Sequence, residues 1–182
     1  QGRYLFFSLN DSGALRDALQ RLAPLVDGPQ TVVGIGPDVV AALGGAVPGL
    51  RVFAALQGPG VTVPATPASL WCWVRGADRG KLVHATRALR LDAVIEAFRH
   101  GRGPNGLGRD LTGYEDGTEN PEGAAADKAA LVHRQGAGLN GSSFVAVQQW
   151  VHDLDAFEAL GTREQDHLIG RRRRDNHELA DA

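Results

Sequence analysis

The order of strand and helix patterns in the first hundred residues is the feature that most constrains the fold. Four segments are rich in aromatic or β-branched residues and are bounded by turn residues, which predicts strands. These segments are residues 3–9, 30–35, 69–75 and 92–98. Leucines recur at helical spacing between the first two, and residues 78–89 have helical character between the last two. This order predicts an α+β fold of the ferredoxin-like βαββαβ type, an antiparallel sheet with two helices on one face.

The second part of the chain is organised differently. Residues 101–141 are rich in glycine and lack apolar periodicity, which predicts a loop region. Residues 143–151 then predict a strand, followed by a helix from residue 153 or 154 to residue 160. A lone strand and helix would leave an unpaired edge, so we expect a longer chain or another molecule to supply the rest. The predicted division is a first ferredoxin-like unit (1–100), a glycine-rich loop region (101–141) and an incomplete second ferredoxin-like unit (142–182).

The composition is that of an ordinary globular protein. It is 43% hydrophobic and 22% charged with a net charge of -2, which gives no reason to expect nucleic acid or an anionic membrane as a partner. Acidic residues surround the arginine run at residues 171–174, which favours a solvated surface over nucleic-acid binding. No apolar run approaches the length of a membrane span. The only cysteine, Cys72, excludes an intrachain disulfide and fits a cytoplasmic protein, although the start at Gln1 leaves a removed targeting segment open.

Residues 113–121, GYEDGTENP, form the most chemically loaded segment. Two glycines and a proline exclude the middle of a helix or strand, while three carboxylates need partners or solvent. The segment therefore predicts a surface turn with Asx-type hydrogen bonds, a cation site or an acid–base site. A calcium loop is disfavoured, because no well-placed acidic stretch has glycine at its sixth position. The histidine spacing does not predict a zinc site.

The longer segment DLTGYEDGTENP, residues 110–121, resembles the GxxDG signature of the dye-decolorising peroxidase family, in the bacterial form where DGTENP follows. VAVQQWVHD at residues 145–153 and LIGR at residues 168–171 also resemble segments of that family. The resemblance implies haem b held between two ferredoxin-like halves, with hydrogen peroxide as the oxidant. Phenols and aromatic dyes are the implied reductants, and Mn²⁺ is a minor alternative.

The resemblance also implies roles for individual residues. The signature aspartate of the family lies on the distal face of the haem, and by its place in the motif that residue is Asp116. It would act as the acid–base group that moves a proton from one oxygen of hydrogen peroxide to the other. Arg171 resembles the arginine that binds a haem propionate. The implied cofactor-binding residues are Asp116, Gly117, Thr118, Glu119, Asn120 and Arg171.

Metal ligation is implied less completely. Glu119 and Glu178 resemble acidic positions near the haem edge that take manganese in some members, and carboxylates suit Mn²⁺. The axial histidine and the distal arginine of the family match no residue here and are expected beyond Ala182. His177 lies in the lead-in to that histidine and is not assigned as the ligand. The chain as a whole resembles the N-terminal part of a family member.

Partners and rival functions follow from the same scaffold. We expect a homo-oligomer, and the family adds an encapsulating shell protein, with a protein nanocompartment as the alternative location. One rival function is a haem carrier or haem-processing protein. Another is a non-catalytic oligomerisation or cargo module, because ferredoxin-like units associate through their sheet edges.

Overall fold

The computed structural model describes residues 2–9, 13–89, 95–97, 100–102, 108–136 and 138–180. The chain forms two compact units, Gln1–Phe98 and Arg99–Ala182. The boundary between them lies close to the one predicted at residue 100. Residues on both sides of the boundary predicted at residue 141 belong to the second unit.

The first unit is built on a four-stranded antiparallel sheet. Its elements in chain order are β1 (Gly2–Phe7), α1 (Leu15–Leu22), β2 (Thr31–Ile35), α2 (Pro37–Ala42), β3 (Leu56–Gly58), β4 (Val61–Val63), β5 (Leu70–Arg75), α3 (Arg79–Ala88) and β6 (Ile95–Ala97). The strand order is β2-β5-β1-β6, and each of these pairings is antiparallel. The sheet confirms the predicted α+β ferredoxin-like class. Strands β3 and β4 form a separate hairpin in the long connection between α2 and β5.

The burial pattern of strand β5 shows that one face of this sheet is buried. Its side chains alternate between buried and half-buried positions along LWCWVR, as the two-residue period of a strand requires. Cys72 and Val74 pack with Leu5 of β1 and Leu82 of α3 into one buried cluster. A second cluster joins α1, α2 and the start of β5, and its members are Leu15, Val39 and Leu70. The core therefore lies between the sheet and its helices.

The opposite face of the sheet carries half-buried aromatic side chains. Tyr4 stacks on Trp73 at 5.6 Å between ring centroids and on Trp71 at 6.2 Å. The guanidinium carbon of Arg75 lies 4.2 Å from the centroid of the Trp73 ring, close enough for a cation–π contact. Tyr4 is directly opposite Trp73 in the register of β1 and β5, so the two aromatic contacts of Tyr4 are cross-strand pairs that stabilise the sheet, whereas Arg75 and Trp73 are neighbours on one face of β5.

The second unit contains short elements joined by long loops. They are β7 (His100–Arg102), β8 (Gly108–Arg109), α4 (Gly123–Ala130), α5 (Leu154–Glu158) and α6 (Thr162–Ile169). The helix predicted from residue 153 or 154 is confirmed as α5, and the Asp153 side chain caps it by accepting from the amide of Ala156 at 3.0 Å. Helices α4 and α6 were not expected, since neither sequence has an apolar stripe.

The strand predicted over residues 143–151 is wrong. Residues 142–153 form no regular secondary structure, and several large side chains in this stretch are exposed. The exposed side chains are Phe144, Val145, Trp150 and Val151. A segment rich in aromatic and β-branched residues forms a strand only where a neighbouring backbone completes the hydrogen bonds, and the described part of the chain offers none to this stretch. None of the described helices has the length and apolar character that crossing a membrane would require.

Cys72 is expected to be chemically inert in the folded protein. It is fully buried, and burial raises the pKa of its thiol from 9.0 to about 11. Because the thiolate is the reactive form, an aromatic disulfide reagent at pH 8 should label the folded protein only as fast as it unfolds. The free energy of unfolding should also fall as the pH rises from 9.0 towards about 11, because the unfolded thiol ionises first. Rapid, complete labelling of the folded protein would contradict this, with a urea-unfolded sample as the reference.

Candidate functional site

The GYEDG segment is held in place by its own backbone. The Asp110 amide donates to the Tyr114 carbonyl at 3.0 Å, and the Gly113 amide donates to the Asp110 carbonyl at 3.1 Å. The Thr112 amide also donates to the Asp110 carboxylate at 2.8 Å, which is the Asx-type turn that the sequence allowed. Gly113 has a φ of 83°, a left-handed conformation that favours glycine at this turn. The segment is therefore a tight, internally bonded loop.

Burial changes sharply along this loop. Tyr114 and Glu115 are buried, whereas the next residue, Asp116, is exposed. The Asp116 backbone is nevertheless fixed, because its amide donates to the Gly108 carbonyl at 2.9 Å. The structure thus presents the Asp116 carboxylate on a rigid backbone next to a buried anchor.

Tyr114 is that anchor. Its side chain is 3% exposed, its ring meets Phe157 of α5 edge to face at 6.3 Å, and its hydroxyl donates to the Asp166 carboxylate at 2.5 Å. The guanidinium of Arg173 lies over the same ring at 5.6 Å. Burial, followed by the hydrogen bond and charge of Asp166, raises the pKa of Tyr114 well above its ordinary value. The hydroxyl therefore stays a hydrogen-bond donor.

Gly117 begins a second turn directly after Asp116. Its φ is 88°, and its carbonyl accepts from the Asn120 amide at 3.2 Å. A side chain here would place Cβ 3.1 Å from the side-chain nitrogen Nδ2 of Asn120, so the position is both strained and crowded for any other residue. This turn carries Thr118 and Glu119 towards the loop that follows α6.

Asn176 joins the two loops. Its side-chain amide donates to the Thr118 hydroxyl at 2.7 Å, and its carbonyl accepts from the Arg171 guanidinium at 3.2 Å. Asn176 is buried and has a φ of 58°, which asparagine tolerates better than most residues. One residue therefore sets the position of both a predicted cofactor-binding hydroxyl and the predicted propionate-binding arginine.

Arg171 lies between two carboxylates. Its guanidinium hydrogen-bonds the Glu119 carboxylate and lies 3.6 Å from the Glu178 carboxylate. The Arg171 side chain is 18% exposed, whereas those of Glu119 and Glu178 are 79% and 74% exposed. The structure thus brings both manganese candidates to one cation. Among the residues that the structure describes, no three His, Cys, Asp or Glu side chains form a group that could hold a metal ion.

Comparisons with known proteins identify the family of this chain. The family model for Dyp-type peroxidases, C-terminal, matches residues 108–182. A dye-decolorizing peroxidase of Mycolicibacterium paratuberculosis is 34% identical over 98% of this chain and 55% of its own length. The chain belongs to the dye-decolorising peroxidase family. It spans about half the length of the curated relatives it matches.

Solved structures of the family share the fold. A DypB variant from Rhodococcus jostii RHA1 in complex with heme is 28% identical, with a TM-score of 0.82 over 99% of this chain and 64% of that chain. A DypB variant in complex with manganese is 29% identical, with a TM-score of 0.81 and the same coverage. The family membership and the ferredoxin-like fold expected from the sequence are therefore confirmed.

Sequence reasoning missed the residues that hold the site together. Thr118, Glu119 and Arg171 were all singled out, but Asp166 and Asn176 were not. The one signal for Asn176 is its place in Asp175-Asn176, a pair of residues that favours turns. Neither residue lies in residues 110–121, the segment that first indicated the resemblance.

Replacing Asn176 should loosen both loops. Asn176→Ala removes the hydrogen bond to Thr118 and places an ordinary residue in a left-handed conformation, so we expect a loss of about 1–3 kcal/mol in the free energy of unfolding. Asn176→Gly should recover the backbone part of that loss. Urea denaturation measures both, with Arg134→Ala as the control, because Arg134 has the same φ of 58° at an exposed site. A loss no larger than that of Arg134→Ala would contradict the assigned role.

Proposed function

We propose that this chain is the motif-bearing part of a haem-dependent peroxidase that uses hydrogen peroxide to oxidise phenols or aromatic dyes. One observation carries the proposal: the exposed carboxylate of Asp116 stands on a backbone that Gly108 and Tyr114 fix in place. A ligand can reach such a group, and the hydrogen bonds of its backbone restrict where the group can move. Membership of the dye-decolorising peroxidase family supports this interpretation.

The residues around Asp116 and Arg171 are chemically suited to contact one face and the edge of haem b. Gly117 lets the side-chain amide of Asn120, a candidate for the haem edge, lie close to the backbone next to Asp116. Thr118, Glu119 and Asn120 continue along the same turn as candidates for the haem edge. Arg171 offers a propionate a guanidinium that Asn176 already orients. When bound, haem would supply the iron that exchanges electrons with peroxide and with the reductant.

Asp116 is proposed as the proton-transfer group. In its carboxylate form it would accept a proton from one oxygen of hydrogen peroxide and donate that proton to the other oxygen, which leaves as water when the O–O bond breaks. The two electrons for this cleavage would come from bound haem, which would also take up the remaining oxygen. The carboxylate ends the cycle as it began, so it acts as a shuttle and not as a reagent. The fixed backbone limits the positions from which it can do so, and that restraint favours transfer between two neighbouring oxygens.

Removing this carboxylate tests the proposal. In the full-length, haem-loaded protein, Asp116→Ala should slow the reaction of ferric haem with hydrogen peroxide by about 10²- to 10⁴-fold, the usual contribution of a general acid–base group. Stopped-flow absorbance in the Soret band measures the rate constant. Asp155→Asn is the matched control, because it neutralises an exposed carboxylate of the same unit in α5. An unchanged rate in Asp116→Ala would assign proton transfer to another group.

Mn²⁺ is proposed as a second reductant, with Glu119 and Glu178 as its ligands. The two carboxylates already converge on Arg171, and both are well exposed. Mn²⁺ would share the two carboxylates with the Arg171 guanidinium, so Mn²⁺ binding should be weak. The manganese complex of a DypB variant supports this as a secondary function.

Glu178→Gln should therefore lower the rate of Mn²⁺ oxidation relative to the rate of dye oxidation, by about tenfold if one carboxylate ligand is lost. Steady-state assays with each reductant in the same preparation give the ratio. Glu158→Gln, at an exposed glutamate of α5, serves as the control. An unchanged ratio in Glu178→Gln would reject the manganese site.

The rival functions predict different outcomes with peroxide. A haem carrier would bind haem and then lose or bleach it without turnover, and an oligomerisation or cargo module would not take it up. We also propose a homo-oligomer in the cytoplasm, with an encapsulating shell protein as a further partner. Size-exclusion chromatography with light scattering tests the assembly.

A further inference from the structure

Asp166 connects residues 113–117, the motif loop, to the segment that carries Arg171. One oxygen of its carboxylate accepts from the Tyr114 hydroxyl at 2.5 Å and from the Arg173 amide at 3.0 Å. Its backbone carbonyl also accepts from the amides of Gly170 and Arg171, at 2.9 Å and 3.1 Å. A single residue of α6 therefore bonds to the GYEDG loop on one side and to the turn after α6 on the other.

The surroundings of Asp166 favour its charged form. Burial alone would raise the pKa of this carboxyl, but the Tyr114 hydroxyl, the Arg173 amide and the guanidiniums of Arg173 and Arg172 outweigh it and lower the pKa. At neutral pH Asp166 is thus an ionised acceptor, and hydrogen bonds to an ionised acceptor are stronger than those between neutral groups. Both of its donors lie in segments that carry proposed site residues.

We propose that Asp166 is a positioning residue that fixes Asp116 and Arg171 relative to each other. Tyr114 lies two residues before Asp116, and the backbone hydrogen bonds of Asp110 and Asp116 leave that short stretch little freedom. Arg173 lies two residues after Arg171, in a turn closed by the hydrogen bond from the Asn176 amide to the Arg172 carbonyl. A change at Asp166 is therefore transmitted to both sides of the proposed haem site.

The catalytic meaning of this inference rests on the proposed function, but its structural content does not. A residue that only stabilised α6 would change the free energy of unfolding and leave the motif loop as it was. A positioning residue would change the motif loop itself. Misplacing a reacting group by about 1 Å can cost roughly 10²-fold in rate, so the two roles predict different kinetics.

The test compares Asp166→Ala, Asp166→Asn and Tyr114→Phe with Asp153→Ala in the full-length protein. Asp153 is the matched control, because its carboxylate also accepts from a backbone amide of the same unit, that of Ala156, and among the described residues it has no bond to either loop of the site. Tyr114→Phe keeps the ring on Phe157 and removes only the hydroxyl. It therefore provides a variant that should fold even if Asp166→Ala does not.

The first readout needs no haem. Hydrogen exchange followed by mass spectrometry should show the Asp116 amide exchanging about tenfold faster in both Asp166→Ala and Tyr114→Phe, since each variant loses the bond between Tyr114 and Asp166. The Arg173 amide should exchange faster only in Asp166→Ala, which removes its acceptor. Asp166→Asn keeps an acceptor oxygen and should lie nearer to the wild type. Asp153→Ala should raise exchange only around α5. If Asp166→Ala and Tyr114→Phe exchange like Asp153→Ala at the Asp116 amide, the positioning role is wrong.

The second readout is the rate constant of the haem-loaded protein with hydrogen peroxide. We expect it to fall about 10- to 100-fold in Asp166→Ala, with the KM for the dye unchanged, and to be largely restored in Asp166→Asn. Equal rates in Asp166→Ala and Asp153→Ala would overturn the proposal. Failure of the wild type to react with peroxide would overturn the proposed function instead, and the exchange data would then decide the role of Asp166.

Discussion

The hydrogen bond from the Tyr114 hydroxyl to the Asp166 carboxylate is the interaction on which the rest of the site depends. It joins a loop that has no regular secondary structure of its own to α6, the last helix that the structure describes. Without such a bond, an acidic loop rich in glycine would gain little from folding, because its backbone entropy is high and its apolar area is small. The Tyr114 ring supplies the buried apolar area, and the hydrogen bond to Asp166 fixes the orientation of that ring.

The ion pairs of the Arg171 guanidinium are weaker than their short distances suggest. Arg171 contacts two carboxylates, but Glu119 and Glu178 are both mostly exposed, and exposed ion pairs contribute little to stability. The contact with the Asn176 carbonyl is the better-protected one. A bound anion could therefore replace a glutamate at small cost while the guanidinium kept its orientation. Weak ion pairs on a well-oriented arginine suit a site that must exchange partners.

The sequence predicted the first unit well because its signal is local. Strand β5 alternates over six residues, and α3 begins where Asp78 caps it, so each element could be recognised without its neighbours. Residues 143–151 are also rich in aromatic and β-branched residues but form no strand, since pairing depends on a partner strand that local composition cannot reveal. Asp166 and Asn176 were missed for a related reason. Their partners, Tyr114 and Thr118, lie 52 and 58 residues away in sequence.

The exposure of Asp116 fits its proposed role better than burial would. An incoming ligand could reach a buried carboxylate only if the structure around it opened. A ligand can reach an exposed carboxylate, but bulk water competes for every proton that the carboxylate transfers. Selective transfer therefore requires a ligand that excludes water from this surface without moving the carboxylate. The backbone bonds of Asp116 and the Tyr114 anchor meet the second requirement, so the protein contributes position and leaves the exclusion of water to what it binds.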